Sequence, residues 1–345
     1  MGFHYVNPGF AGLLDVTGGA TVQTSERSRT GYGILQPEDR CGVKLEAVLK
    51  ELWIRFDIYL PTSKEVPKTF EAKVLYNGFG LRFYTYEATN QFFVEPYCSG
   101  IGLDPKKIPV YKSDMEELKA ECHLFAGKVN SVYMHAKRGT GNEKDGAFEL
   151  WFNGTQYING AIKCYSWSDS YVTVMSNSEL LLISDIIISD TAFDKRTQLV
   201  PVPAVGIESD MTQMGDGSYI ATDAGQTLLQ YLDMEALAAS CGGSSRVTGV
   251  AVIGNPAYQM ESGGGALTVI QSLSGTLTEY ATQPLQSDAA GVICDYHPLE
   301  GTVNGLSGLA VGWNTGVRHE DLTEAAGISR GKLFRQGVRD ATDVS

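Results

Sequence analysis

Residues 52–60 read Leu-Trp-Ile-Arg-Phe-Asp-Ile-Tyr-Leu and alternate between apolar and more polar side chains. Successive side chains of a β-strand point to opposite faces, so Ile54, Phe56 and Ile58 are expected to face a core. The pattern is typical of an antiparallel strand with one buried and one wetter face. The wetter face would carry Trp53, Arg55, Asp57 and Tyr59.

Strand signals continue through the first half of the chain. Asn77-Gly78 and Asn153-Gly154 are hairpin turn signals, because both positions of such a turn need a positive φ angle. A run of β-branched residues predicts a buried central strand at 179–189. One short helix is predicted to begin at Ser113, with Glu116 at the spacing of a capping box. The other predicted strands are 73–76, 81–86, 129–136 and 148–152.

The composition changes after a segment with two alternating prolines, Pro201 and Pro203, which favours an extended linker. Beyond it Gly, Ala, Ser and Thr are frequent, and a helix is predicted over 227–240, ending at Gly242-Gly243. Short strands are then predicted at 246–253, 266–270, 276–282, 291–295 and 309–313. The chain is therefore expected to be all-β, with a jelly-roll β-sandwich at 1–195, a linker at 196–204, a smaller β-sandwich-like domain with few short helices at 205–319 and a charged tail at 320–345.

Charge and cysteine content exclude several classes of protein. The 345 residues carry a net charge of -13, and no basic stripe that could neutralise nucleic acid phosphates is present. No apolar stretch reaches the ~18 residues that a membrane helix needs. Six cysteines occur without a Cys-x-x-Cys pair or a signal peptide, so reduced thiols in a protein made in a cytosol are expected.

Residues 148–154 and 182–190 resemble strands of the concanavalin A-like or laminin-G-like jelly roll. Residues 215–220, 248–258 and 306–313 resemble a module that follows such jelly rolls in tailed-phage virion proteins. The resemblance implies a non-catalytic structural protein of the virion, tail- or head-associated and made in the host cytoplasm. It also implies a homo-oligomer that assembles with other virion proteins and binds host surface glycans.

The aromatic and charged side chains of the wetter strand faces form the candidate glycan site. Tryptophan and tyrosine rings pack against the apolar faces of sugars, while polar neighbours fix their orientation. If the first strands are neighbours in one sheet, their outward residues would line a shallow groove; otherwise they form an ordinary solvent face or one covered by another subunit. The candidate residues are Trp53, Arg55, Asp57, Tyr59, Arg82, Tyr84 and Tyr86.

The sequence lacks the carboxylate pattern of a jelly-roll glycosidase. A retaining glycosidase needs two carboxylates about 5 Å apart. The glucanases of the family that this chain resembles carry them in a Glu-x-Asp-x-Glu pattern on one strand. Here the same-face neighbours of Glu149 are Trp151 and Asn153, so Glu149 is interpreted as a solvated strand residue and no enzymatic activity is expected. A jelly-roll carbohydrate-active enzyme or a free lectin remains the alternative.

No cofactor is expected. Cys122-His123 and His135 lack the second close pair that a zinc site needs. Calcium stays open, because Asn142, Asp145 and Asp216 lie in glycine-rich loops, although loop acids commonly act as turn formers.

Overall fold

The computed structural model describes residues 3–7, 15–17, 21–24, 32–35, 40–45, 47–60, 71–77, 79–86, 91–98, 108–109, 125, 127–140, 145–162, 167–168, 170–176, 182–215, 219–256, 265–285, 293–317 and 334–335. The chain divides into two compact units, Met1–Val200 and Pro201–Ser345. The helix predicted at Ser113, the loop acids Asn142 and Asp216 and nearly all of the predicted tail 320–345 lie outside the described residues.

The first unit consists of two antiparallel sheets. Its strands are β1 (Phe3–Asn7), β2 (Asp15–Thr17), β3 (Thr21–Thr24), β4 (Tyr32–Leu35), β5 (Arg40–Lys44), β6 (Glu51–Tyr59), β7 (Glu71–Tyr76), β8 (Phe79–Tyr86), β9 (Gln91–Cys98), β10 (Ile108–Pro109), β11 (Val129–Lys137), β12 (Gly146–Phe152), β13 (Thr155–Ile162), β14 (Tyr171–Ser176) and β15 (Leu182–Ser189). The larger sheet has eight strands in the order β13-β12-β11-β6-β15-β4-β3, with β1 also paired to β15. The smaller sheet has seven strands in the order β10-β9-β8-β7-β14-β5-β2.

The hydrophobic core of this unit lies between the two sheets. Ile54, Phe56 and Ile58 of β6 face it from the larger sheet, as the alternation of residues 52–60 predicts. Val74 and Phe83 face it from the smaller sheet. Trp167 is also buried there, against the rings of Tyr76 and Phe79. The term outer face is used below for the side of a sheet that points away from this core.

Strand β15 is the buried central strand that the sequence predicts. All eight of its residues are buried, and it pairs with β6 on one side and with β4 and β1 on the other. A bulge interrupts its register with β6 between Ser184 and Ile187. Within the bulge Asp185 has a φ angle of 55°, a left-handed conformation that Asp adopts more readily than most residues.

The second unit also has two antiparallel sheets, each of five strands. Its strands are β16 (Ala204–Ser209), β17 (Thr212–Gln213), β18 (Tyr219–Ile220), β19 (Thr227–Leu232), β20 (Arg246–Pro256), β21 (Gly265–Leu273), β22 (Thr276–Leu285), β23 (Ile293–Thr302), β24 (Ala310–Val317) and β25 (Phe334–Arg335). The strand orders are β16-β19-β24-β21-β22 in the first sheet and β17-β18-β25-β20-β23 in the second. Leu267, Val269 and Trp313 from the first of these sheets share one core with Val252 and Leu299 from the second.

The helix predicted over 227–240 is wrong in its first half. Residues 227–232 form strand β19, because Leu228 enters the core while the backbone pairs with β16 and β24 on either side. Helix α1 begins only at Met234 and runs to Cys241, since the Asp233 side chain accepts a hydrogen bond from the Ala236 amide and caps it. Gly242 ends the helix, as predicted, with a φ angle of 91°. Within the described ranges, no helix has the length and apolarity that a bilayer crossing requires.

Candidate functional site

The residues predicted to line one groove lie in two different sheets. Trp53, Arg55, Asp57 and Tyr59 belong to β6 of the larger sheet, whereas Arg82, Tyr84 and Tyr86 belong to β8 of the smaller sheet. Strand β6 lies between β11 and β15, and β8 lies between β7 and β9. The condition for one shared groove, that these strands are neighbours in one sheet, is therefore not met, and the two groups of residues form separate surfaces.

Arg55 and Asp57 are buried rather than presented to solvent. They are 2% and 0% exposed, and the Arg55 guanidinium donates to the Asp57 carboxylate over 3.0 Å. A buried charge is tolerated only when it is paired, so each residue depends on the other. Their position on the outer face matches the strand alternation, but their burial removes them from direct contact with a ligand.

The exposed part of this outer face contains Trp53 and residues from the neighbouring strands. Across the sheet, Trp53 of β6 lies opposite His135 of β11, which lies opposite Glu149 of β12. Trp53 is half-buried, and its ring stacks on that of His135 with centroids 4.4 Å apart and planes 7° apart. Glu51, two residues before Trp53 on the same face, completes a group that we call the Trp53 patch: Glu51, Trp53, His135 and Glu149.

His135 lies between the two carboxylates of the Trp53 patch. Its Nδ1 is 2.6 Å from Oε2 of Glu149, and its Nε2 is 3.0 Å from Oε1 of Glu51. Both contacts are hydrogen bonds when both ring nitrogens carry a proton. The two glutamates keep side-chain exposures of 33% for Glu51 and 25% for Glu149, so their other lone pairs can reach a ligand.

The segment that follows β15 covers the adjoining part of the same face. We call residues 190–196 the crossing segment, because it contacts β11 and then β12. The Tyr133 hydroxyl donates to the carbonyl oxygen of Phe193, and the two rings meet edge to face. The Lys195 ammonium lies 5.4 Å from the ring centroid of Trp151. Burial, together with the carboxylates of Glu149 and Asp194, raises the pKa of Tyr133.

The crossing segment carries its own ion pair. Arg196 donates to both carboxylate oxygens of Asp194, with a shortest distance of 2.7 Å. These hydrogen bonds, from the Arg196 side chain and backbone, lower the pKa of Asp194 to about 2. Both side chains are largely exposed.

On the outer face of the smaller sheet, Arg82 and Tyr84 form a more closed surface. Glu71 accepts hydrogen bonds from Lys73 and Arg82, which lower the pKa of its carboxyl group. The Arg82 guanidinium lies 4.6 Å from the ring centroid of Tyr84. Tyr84 is buried, so its ring offers little surface to a sugar. The Tyr86 side chain lies outside the described residues.

In the part of the chain that the structure describes, no three His, Cys, Asp or Glu side chains come together as potential metal ligands. Asp145, one of the three calcium candidates, accepts hydrogen bonds from the Thr140 amide and hydroxyl, the bonding of a turn former. Those bonds lower the pKa of Asp145.

The chain is similar to several solved structures at low sequence identity. No protein-family model matches the sequence, and no curated protein matches it. A glucuronan lyase from the fungus Trichoderma reesei has 12% identity and a TM-score of 0.35, covering 55% of this chain and 96% of that one. A galectin from Caenorhabditis elegans has 9% identity and a TM-score of 0.27, and the match covers 46% of this chain and 95% of the galectin.

The chain is also similar to the receptor-binding domain of botulinum neurotoxin mosaic serotype C/D, and this similarity includes residues of both units. It covers 96% of each chain with 12% identity and a TM-score of 0.38. The chain is all-β, and its first unit is a jelly-roll β-sandwich.

The sequence alone does not show that His135 and Glu149 belong to one site. A signal was present in β11, where Tyr133, His135 and Lys137 alternate with the core residues Met134 and Ala136. That alternation defines a polar and aromatic face, but it cannot show which strand lies beside it. The pairing of β11 with both β6 and β12 is what brings the patch together.

Proposed function

We propose that the first unit binds a glycan, without transforming it, through the Trp53 patch on the outer face of the larger sheet. The observation that carries this proposal is the stacked Trp53–His135 pair between two partly exposed carboxylates. An indole offers apolar surface for the CH face of a sugar ring, and carboxylates accept hydrogen bonds from its hydroxyls. The strand pairing holds these groups on a rigid element, which favours binding.

The position of His135 supports binding rather than hydrolysis. A glycosidase needs its two carboxylates on opposite sides of the scissile bond, with space for a sugar between them. In the Trp53 patch that space is filled by the imidazole ring, which contacts both Glu51 and Glu149. Asp57, another acid of the same outer face, is fully buried and paired with Arg55.

Assembly into a virion, as a homo-oligomer with other particle proteins, is a separate part of the proposal. It rests on the sequence resemblance of residues 215–220, 248–258 and 306–313, and none of the neighbours described above is a virion protein. Light scattering on the purified chain tests the oligomer. A glycan-binding monomer would leave the free-lectin alternative as the better account.

Isothermal titration with a panel of oligosaccharides tests the binding proposal. The panel contains gluco-, manno-, galacto- and xylo-hexasaccharides, each titrated against the full chain, Trp53→Ala and Arg82→Ala. We expect saturable binding that Trp53→Ala weakens at least tenfold and that Arg82→Ala, on the other sheet, leaves unchanged. A larger loss in Arg82→Ala would move the site to the smaller sheet, and release of reducing ends that Glu149→Gln abolishes would establish an enzyme.

A further inference from the structure

We infer that the Trp53 patch selects a neutral glycan and discriminates against a uronic acid polymer of the same backbone. This inference rests on the proposed function and names the class of glycan. It follows from the hydrogen-bonding groups that the patch leaves for a ligand and from the position of the charged groups around Glu149.

The hydrogen-bonding capacity that remains in the patch is that of an acceptor. Both nitrogens of His135 are directed at carboxylates, Nδ1 at Glu149 and Nε2 at Glu51. An ionised carboxylate has about four lone-pair sites, so each glutamate keeps acceptor capacity after contacting the ring. A sugar hydroxyl can donate to these oxygens, whereas the carboxylate of a uronate has no proton to donate.

Three positively charged side chains near this face, Lys137, Lys195 and Arg196, each lie beside another side chain of the protein. The Lys137 ammonium is 3.6 Å from Glu51, and Arg196 is paired with Asp194. Lys195 lies over the Trp151 ring, on the part of the face that the crossing segment covers. Of the ionisable side chains described around Glu149, the ring of His135 is the one within hydrogen-bond distance, and its Nε2 faces Glu51. A second carboxylate brought against Glu149 would therefore meet a like charge in a half-buried setting, where repulsion is stronger than in bulk water.

The test compares pairs of ligands that differ only at carbon six of each sugar. Cellohexaose and mannohexaose are each titrated beside the same oligosaccharide oxidised to the uronate form. The proteins are the full chain, Glu149→Gln, Glu51→Gln and Lys44→Ala, the last being an exposed lysine of the smaller sheet. Glutamine keeps the size and acceptor oxygen of glutamate and removes its charge.

We expect the neutral member of a pair to bind at least tenfold more tightly than its oxidised form at low salt. Glu149→Gln should reduce that ratio to threefold or less, and Lys44→Ala should leave it unchanged. Glu51→Gln should also reduce the ratio, which keeps the test valid should Glu149→Gln fail to fold. Equal or tighter binding of the oxidised form would overturn the inference and leave the proposed function standing. Failure of all four ligands to bind would overturn the inference, and failure of every member of the hexasaccharide panel would overturn the proposed function as well.

Discussion

The imidazole of His135 and the indole of Trp53 lie face to face, 4.4 Å apart at their centroids, because the register of β11 and β6 places the two residues directly opposite each other. Cross-strand pairs of this kind are a main source of sheet stability. Here the pair also sets the position of the ring that the carboxylates of Glu51 and Glu149 contact. One register thus fixes both the apolar and the polar parts of the patch.

Removing the ring of His135 should destabilise the first unit through these carboxylates. In His135→Ala, Glu51 and Glu149 lose their shared donor and remain near each other, so we expect the free energy of unfolding to fall by about 2 kcal/mol. Urea denaturation of His135→Ala, Glu149→Ala and the double variant measures the coupling. A coupling of at least about 1 kcal/mol is expected, and simple additivity would contradict the geometry described here.

Breaking the Arg55–Asp57 pair should be costly. In Asp57→Ala the buried guanidinium loses its carboxylate, and loss of one partner of a buried pair typically costs about 3–5 kcal/mol. Lys44→Ala, at an exposed position, should change stability by less than about 0.5 kcal/mol. Chemical denaturation measures both. A stable Asp57→Ala protein that no longer binds glycan would instead make Asp57 a ligand-contacting residue.

Burial of Tyr133 predicts a loss of stability at alkaline pH. The pKa of Tyr133 is raised in the folded state, so the unfolded chain releases this proton near its ordinary pKa of 10.0 while the folded protein retains it. The contribution is fully present below pH 10 and decreases above it, by at most about 1.4 kcal/mol per pH unit. Tyr133→Phe cannot ionise there. Between pH 9 and pH 11, chemical denaturation should show the free energy of unfolding falling more steeply for the natural chain than for Tyr133→Phe. Parallel declines in the two proteins would contradict a raised pKa for Tyr133.

The Asp194–Arg196 pair should have a small effect, with the opposite dependence on pH. Because the pKa of Asp194 is lowered from 3.8 to about 2, its contribution is present above pH 3.8 and is lost as the pH falls through 2. The pair is exposed, so solvent screening limits the contribution to about 1 kcal/mol or less. Asp194→Asn should therefore be slightly less stable than the natural chain at pH 7 and equal to it below pH 2. A loss above about 2 kcal/mol at pH 7 would show that the pair holds the crossing segment in place.

Local pattern was sufficient to predict several of the strands but not their neighbours. The alternation of residues 52–60 correctly assigns Phe56 to the core and Trp53 to the outer face. It cannot reveal that β6 lies between β11 and β15, because those partners follow it by about seventy residues or more. The sequence therefore predicts Arg82 and Trp53 in the same candidate site, although Arg82 lies in the other sheet.

The sequence was also insufficient to predict which polar residues are buried and where the helix begins. The charged residues Arg55 and Asp57 suit a solvent face by composition, and only the folded structure shows them buried as a pair. Leucines at helical spacing predict a helix at 227–240, but sheet pairing on both sides of β19 outweighs that local preference. The cap at Asp233 is the local signal that marks the true start of α1.

The central claim is that a glycan contacts the outer face of the larger sheet at Trp53 and Glu149. A crystal structure of the full chain soaked with the tightest-binding hexasaccharide tests it most directly. We predict a sugar ring against the exposed part of the Trp53 indole, with a hydroxyl donating to a Glu149 carboxylate oxygen. A sugar bound instead beside Arg82 on the smaller sheet, or on the second unit, would contradict the account.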